Sequence, residues 1–203
     1  MDVRLMFTFE ASCGNRSNSI RNNAKFSAFE ENGEIFGTEM PMVHNSRKVF
    51  SGDDASKSLK NTNEKEIYGD KFSVAIAAKK TNRGIEVSKS EMFRVNNSND
   101  WTNLWNDFKE KGNISEISSE KTKSGPKDEM LGSAICQKKT ISPNETYQFV
   151  FSLAWDIPYA RFGSGEKTPK RYTRYFGRNG LNASKIATHS LNAYLRWEKM
   201  IDG

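Results

Sequence analysis

The segment YQFVFSLAWD, residues 147–156, constrains the fold most strongly. Tyr147, Phe149, Phe151, Leu153 and Trp155 recur at every second position, with Gln148, Ser152 and Asp156 on the other parity. A period of two stacks five large side chains on one face of a strand; on a helix they would scatter around the axis. Val3, Leu5, Phe7 and Phe9 repeat the pattern against Arg4, Met6 and Thr8, and Phe72, Val74, Ile76 and Ala78 form a third case. The tetrapeptide TNRG, residues 81–84, predicts a hairpin turn into IEVSKS. The stretch LGSAICQKKTISPNE predicts a shorter strand and a Ser-Pro-Asn turn that pairs it antiparallel with residues 147–156. Together these patterns predict a mainly β, antiparallel fold. The first strand starts at residue two without a lead-in, so the chain reads as one that begins inside a sheet.

Two helices interrupt the strands. NDWTNLWNDFKEKG spaces Trp101, Leu104, Trp105 and Phe108 at i, i+3, i+4 and i+7, with Asn99 or Asp100 as N-cap and Gly112 beyond the last turn. ASKIATHSLNAYLRWEKMIDG carries Ile186, Ala193, Trp197 and Ile201 on a broad apolar face, widened by Leu191, Tyr194 and Leu195. Residues 45–71 are rich in Ser, Asn, Lys, Asp and Glu and hold too few apolar side chains to offset their ordering entropy, so they read as a mobile insertion. Residues 113–129 read as a second, shorter polar loop. No repeat of 20 to 50 residues is present, which argues against solenoids and propellers.

The 203 residues carry a formal charge of +6, and it is unevenly placed. Residues 157–178 hold six cations (Arg161, Lys167, Lys170, Arg171, Arg174, Arg178) against Glu166, a net +5 that leaves only +1 elsewhere. Cys13 and Cys136 are too few and too far apart for a disulfide scaffold or a thiolate zinc site, so the expected setting is reducing. No apolar run is long enough to span a bilayer, and MDVRLMFTFEAS lacks a signal-peptide profile. The expectation is an intracellular protein, cytoplasmic or peripheral at the cytosolic face of membranes. Asn-X-Ser/Thr sequons at Asn15, Asn96, Asn113, Asn144 and Asn182 are what an Asn- and Ser-rich sequence produces by chance.

Metal and nucleophile chemistry find no support in the spacing. His44 and His189 lie far apart and outside any ligand-spaced cluster, and no P-loop or nucleophile elbow occurs. His44 reads as solvent-facing and His189 as a satisfied packing residue. No acid stands in a recognisable catalytic context; Asp156 reads as structural, ending its strand or pairing Arg161. No cofactor is expected. The segment KRYTRYFGR, residues 170–178, packs four cations and three aromatics into nine positions. It has the residue types for base stacking along a phosphate track, for a sugar platform with Trp155, Tyr159, Tyr172 and Tyr175, or for a packed seam of aromatics and guanidiniums. Composition leaves seam and ligand surface evenly weighted.

The run FSLAWDIPYARFG, followed by RYTRYFG and a helix with HSLNAYLRWEKMIDG, resembles the N-terminal domain of glycoside hydrolase family 116, the non-lysosomal glucosylceramidase or bile acid β-glucosidase family. DVRLMFTFEAS, KFSVAIAA and NDWTNLWNDFKEKG fit in the same order. The resemblance implies an incomplete antiparallel β-sandwich over residues 1–178, with one short inserted helix, and a linker helix over 179–203 leading to an absent (α/α)6 catalytic domain. It implies that the Glu nucleophile and Asp acid/base of retaining β-glucoside hydrolysis lie in that domain, so that no residue here is catalytic. Partners implied are that domain and, only through it, glucosylceramide or another β-glucoside; peripheral membrane association of the full enzyme is part of the same expectation, and nucleic acid is not. The basic aromatic segment then becomes a domain seam formed by Arg171, Tyr172, Arg174, Tyr175, Phe176 and Trp197, its charge meeting carboxylates across the boundary.

Overall fold

A computed structural model describes residues 1–10, 26–43, 71–81, 84–94, 98–114, 131–160 and 166–202. Cys13, His44, Arg161, two of the four hairpin-turn residues and nearly all of the two polar loops read from the sequence lie outside these. The described chain forms two antiparallel sheets. Strands β1 (Asp2–Glu10), β6 (Leu131–Thr140) and β5 (Ile85–Arg94) make the first, in the order β1-β6-β5. Strands β2 (Ser27–Glu31), β3 (Ile35–Val43), β4 (Lys71–Lys79) and β7 (Phe151–Asp156) make the second, in the order β2-β3-β4-β7. A two-stranded ribbon, β8 (Tyr159–Ala160) with β9 (Thr168–Pro169), follows β7.

The two sheets pack face to face as a sandwich, and their period-two patterns mesh. Ile76, Ala78, Phe151 and Leu153 from the four-stranded sheet meet Phe7, Phe9, Val87 and Ile135 from the three-stranded one. Met40, Met42, Phe72 and Val74 extend this layer around Phe26 and Phe9. The opposite faces are covered too. Helix α1 (Ser98–Lys111) lays Leu104 and Phe108 on Met6, Phe93, Ala134 and Cys136. Helix α3 (Ala183–Asp202) lays Ala183, Ala187 and Leu191 on Ile35, Ala75, Ala77 and Ala154. The order is helix, sheet, sheet, helix, so the mainly antiparallel β architecture expected from the sequence stands, with both faces of β4 buried: residues 72–78 are all enclosed.

Burial on two faces explains where the sequence reading goes astray. Ala154 and Asp156, on the supposed outer face of β7, are buried under α3, whereas Trp155 is 46% exposed. The strand also begins at Phe151, so Tyr147 and Phe149 precede it and stack on each other instead. Neither expected hairpin exists: β4 and β5 lie in opposite sheets, as do β6 and β7. The chain passes from one sheet to the other between Lys79 and Ile85 and again between Thr140 and Phe151. β1 finds its partner far along the chain, Asp2 opposite Thr140 through Glu10 opposite Gly132. Strands β2 and β3 have no counterpart in the sequence reading. The last helix turns inward Leu191, Ile186 and Tyr194 from the expected face, adds Ala183 and Ala187 to them, and leaves Trp197 and Ile201 of that face exposed.

Helix α1 starts at Ser98, one residue before the expected cap, and leaves Trp105 exposed. Gly112 at its end has φ +68, and the Arg4 side chain occupies the space a Cβ would need. A cation there also faces the negative end of the helix. Cys136, next to it and fully buried, has its thiol pushed up to about 11 by burial.

The packing separates two substitutions on one helix. Leu191→Ala is expected to lower stability by about 2 to 5 kcal/mol through the cavity it leaves under α3. Ile201→Ala, at a position 82% exposed, is expected to stay within about 0.5 kcal/mol. Urea denaturation of the two variants checks the assignment, and equal losses would contradict the observed stripe.

Candidate functional site

The segment between β7 and α3 is built around Asp156. Its side chain, fully buried, accepts hydrogen bonds from the Tyr172 hydroxyl at 2.8 Å, the Asn182 main-chain N–H at 2.9 Å and the Asn182 side-chain amide at 3.1 Å. A second carboxylate acts one residue further on. Glu39 of β3 accepts from the Ala183 N–H at 2.9 Å, from the Ser184 hydroxyl at 2.7 Å and from Ser73 of β4 at 2.8 Å. Asn182 is the residue whose carbonyl receives the first helical bond, from Ile186 N–H. Two of the N–H groups at the start of α3, those of Asn182 and Ala183, are therefore satisfied by two acids from the sheet below, and both acids stand at the positive end of the helix dipole. Asn179 joins the network through the Asn182 amide.

Two glycines make the approach possible. Gly180, at φ +72, lies so close to the Lys71 carbonyl that any Cβ would collide with main chain. Gly177, at φ +96, ends the one-turn helix α2 (Thr173–Phe176) and donates its N–H to the Thr173 carbonyl. At the other end, Lys170 N–H bonds the Pro158 carbonyl at 2.8 Å, and Thr173 bonds the Lys170 carbonyl through both its N–H and its hydroxyl.

This frame sorts the seam residues read from the sequence onto two sides. Tyr172 turns inward to Asp156. Phe176 packs edge-on against His189 of α3, and His189 packs against Trp197 one further turn along, with centroid separations of 5.5 and 5.7 Å. Phe176 and Trp197 are thus joined by a histidine, which is exposed and makes ring contacts on both sides. Arg171 and Arg174 face outward with Lys170 and Arg178 around a recess of about 310 Å3, completed by Pro169 and Thr173. Tyr175 stands 82% exposed. The four-ring sugar platform does not assemble, because Tyr172 is committed to Asp156 while Trp155 lies on the intersheet side of β7, edge-on to Phe9.

Asp156 ends its strand, as read, and its partners among the described residues are Tyr172 and Asn182, Arg161 lying outside them. Asn182 precedes the helical pattern and belongs to a residue type that favours N-caps, a signal present in the sequence. With its side-chain amide bonded and the residue buried, it is no glycosylation acceptor in the folded chain. Glu39 carried no signal at all, since it lies in a strand without clear alternation. Among the described residues no three His, Cys, Asp or Glu side chains gather to hold a metal ion, and no helix is long and apolar enough to cross a membrane.

Over residues 1–197 the sequence matches a family model described as beta-glucosidase 2, glycosyl-hydrolase family 116 N-term.

The Asp156 network sets up a graded test. Tyr172→Phe removes one donor and is expected to cost about 1 kcal/mol, whereas Asp156→Ala strands three buried donors and is expected to cost about 3 kcal/mol or more. Burial and the hydrogen bond to Asp156 raise the Tyr172 pKa above the ordinary 10.0, so the fold favours the neutral phenol. That contribution is complete below pH 10 and is lost as the pH rises above it. Urea midpoints measured across the alkaline range should fall less steeply in Tyr172→Phe than in the parent chain.

Proposed function

Because the chain belongs to the N-terminal domain family of glycoside hydrolase family 116, we propose that it is the non-catalytic accessory domain of a β-glucosidase. The enzyme served is one that hydrolyses β-glucosides, glucosylceramide among them, with retention of configuration. One observation supports assigning the chemistry elsewhere. The two carboxylates at the centre of the site, Asp156 and Glu39, are each occupied by three hydrogen-bond donors, most of them at the start of α3. Retaining hydrolysis needs two carboxyl groups facing a sugar, one free to donate a proton and one free to attack. Acids already committed as helix caps are unsuited to either task.

In this reading the surface around α2 and α3 is the face that docks on the catalytic domain. Arg171, Arg174, Tyr175 and Trp197 present themselves outward, and Tyr172 and Phe176 support them from behind. Leu195, Met200 and Ile201 continue an exposed apolar strip along the outer half of α3. Aromatic and arginine anchors beside aliphatic surface are the composition favoured at buried interface centres.

Two measurements test the reading. The purified 203-residue chain is expected to leave a fluorogenic β-glucoside intact; hydrolysis above the level of a mock preparation would overturn it. In a homologue that carries both domains, Arg171→Glu and Trp197→Ala are each expected to lower the melting temperature by several degrees and to reduce glucosidase activity. Unchanged melting and activity in both variants would remove the docking face.

A further inference from the structure

Two of the three aromatics of residues 170–178, Tyr172 and Phe176, are used within the chain, whereas Tyr175 is exposed and the cations are unpaired among the described residues. Lys170, Arg171, Arg174 and Arg178 converge on one recess of about 310 Å3. Among the described residues none of the four is held in an ion pair or by a side-chain hydrogen bond. Lys170 is half-buried, and the three arginines are exposed. The main chain beneath them is pinned: Lys170 N–H to the Pro158 carbonyl, Arg174 N–H to the Arg171 carbonyl, Gly177 N–H to the Thr173 carbonyl, with Tyr172 anchored on Asp156. Four positive groups are therefore gathered on a stiff turn with no acid paired to them among the described residues, an arrangement that an entering anion relieves.

The shape and chemistry of the recess narrow the anion. Guanidinium forks bond two oxygens of a phosphoryl group at once, and a phosphoryl group offers enough oxygens to engage more than one fork. A nucleic-acid strand fits less well. Tyr172 and Phe176 face inward, which leaves Tyr175 as the one exposed ring of the segment where a strand needs successive stacking platforms, and the cations surround a single recess where a strand needs a track. We infer that the recess lined by Lys170, Arg171, Arg174 and Arg178 binds a phosphoryl group, carried by a soluble phosphate ester or by an anionic lipid headgroup. The recess shares Arg171 and Arg174 with the proposed docking face but is separable from it by experiment. Lys170 and Arg178 belong to the recess alone and Trp197 to the docking face alone, so variants at these positions report on one and not the other.

The test titrates the 203-residue chain with inorganic phosphate and with inositol hexakisphosphate by calorimetry. A parallel arm uses phosphatidylcholine vesicles with and without phosphatidylinositol bisphosphate in a flotation assay. Saturable binding in either arm is expected, weakened about tenfold by Arg178→Gln or Lys170→Gln alone and about a hundredfold by Arg174→Gln with Arg178→Gln. Lys109→Gln with Lys199→Gln removes the same charge from exposed positions elsewhere and is expected to change affinity less than about threefold. Binding of the soluble anions with no gain from the phosphoinositide identifies a soluble ester as the source, and binding only to phosphoinositide vesicles identifies a headgroup. Absence of saturable binding in both arms overturns the inference. So does an equal loss in the distal pair, which reduces the effect to net charge, or displacement of the anion by a single-stranded oligonucleotide at lower concentration. Trp197→Ala is expected to leave anion affinity unchanged.

Discussion

Two acids from the sheet hold the start of one helix, and the arrangement of the outer layer depends on that contact. Asp156 ends β7, Glu39 lies on β3, and Ser73 of β4 stands between them, directly opposite Asp156 in the ladder. The three come from neighbouring strands and point to the same side. Their acceptors meet the N–H groups of Asn182 and Ala183, which no earlier turn of helix can satisfy. Hydrogen bonds to ionised groups contribute about 1.5 to 3 kcal/mol each, and a buried N–H left without one costs a comparable amount.

The position of α3 follows from this anchor. With its first turn fixed over β4, the small side chains Ala183 and Ala187 let the helix approach Ala75, Ala77 and Ala154 closely, and Ser190 reaches Ser152 at 2.6 Å. Large residues at these facing positions would hold helix and sheet apart. Beyond Tyr194 the helix runs past the sheet, which is why its outer turns expose Trp197, Met200 and Ile201. The same anchor disciplines the preceding segment. Tyr172 shares the Asp156 carboxylate with Asn182, so the turn carrying the basic residues is tied to the helix it precedes. Tyr172 is drawn to Asp156 and Phe176 to α3, while Tyr175 and the cations are left on the outer side. The segment that looked like a single surface is divided into a packed side and an exposed one.

The sandwich itself rests on pairings that are remote in sequence. β6 joins β1 across about 130 residues and separates it from β5, while β7 completes a sheet whose other strands lie before residue 80. Such ladders form only after long loops have closed, so local propensity cannot assemble them. What local sequence supplies is side-chain parity, and parity serves both sides of β4 at once.

Periodicity alone determined that this chain is mainly β, that Phe7, Phe9, Val74, Ile76, Phe151 and Leu153 share an interior, and that helices occupy 98–111 and 183–202 within a residue or two. The ordered motifs also carried the family, because they combine in one sequence the last strand, the basic aromatic turn and the final helix. Strand partners, the second buried face of β7, the inward stripe of α3 and the trans-capping role of Glu39 were decided only in three dimensions. The reason is physical: alternation records which side chains avoid water, a local property of each residue and its neighbours. Which strand lies alongside, and which acid meets a helix end, depends on groups brought together from tens of positions away to well over a hundred, where no local pattern can record them.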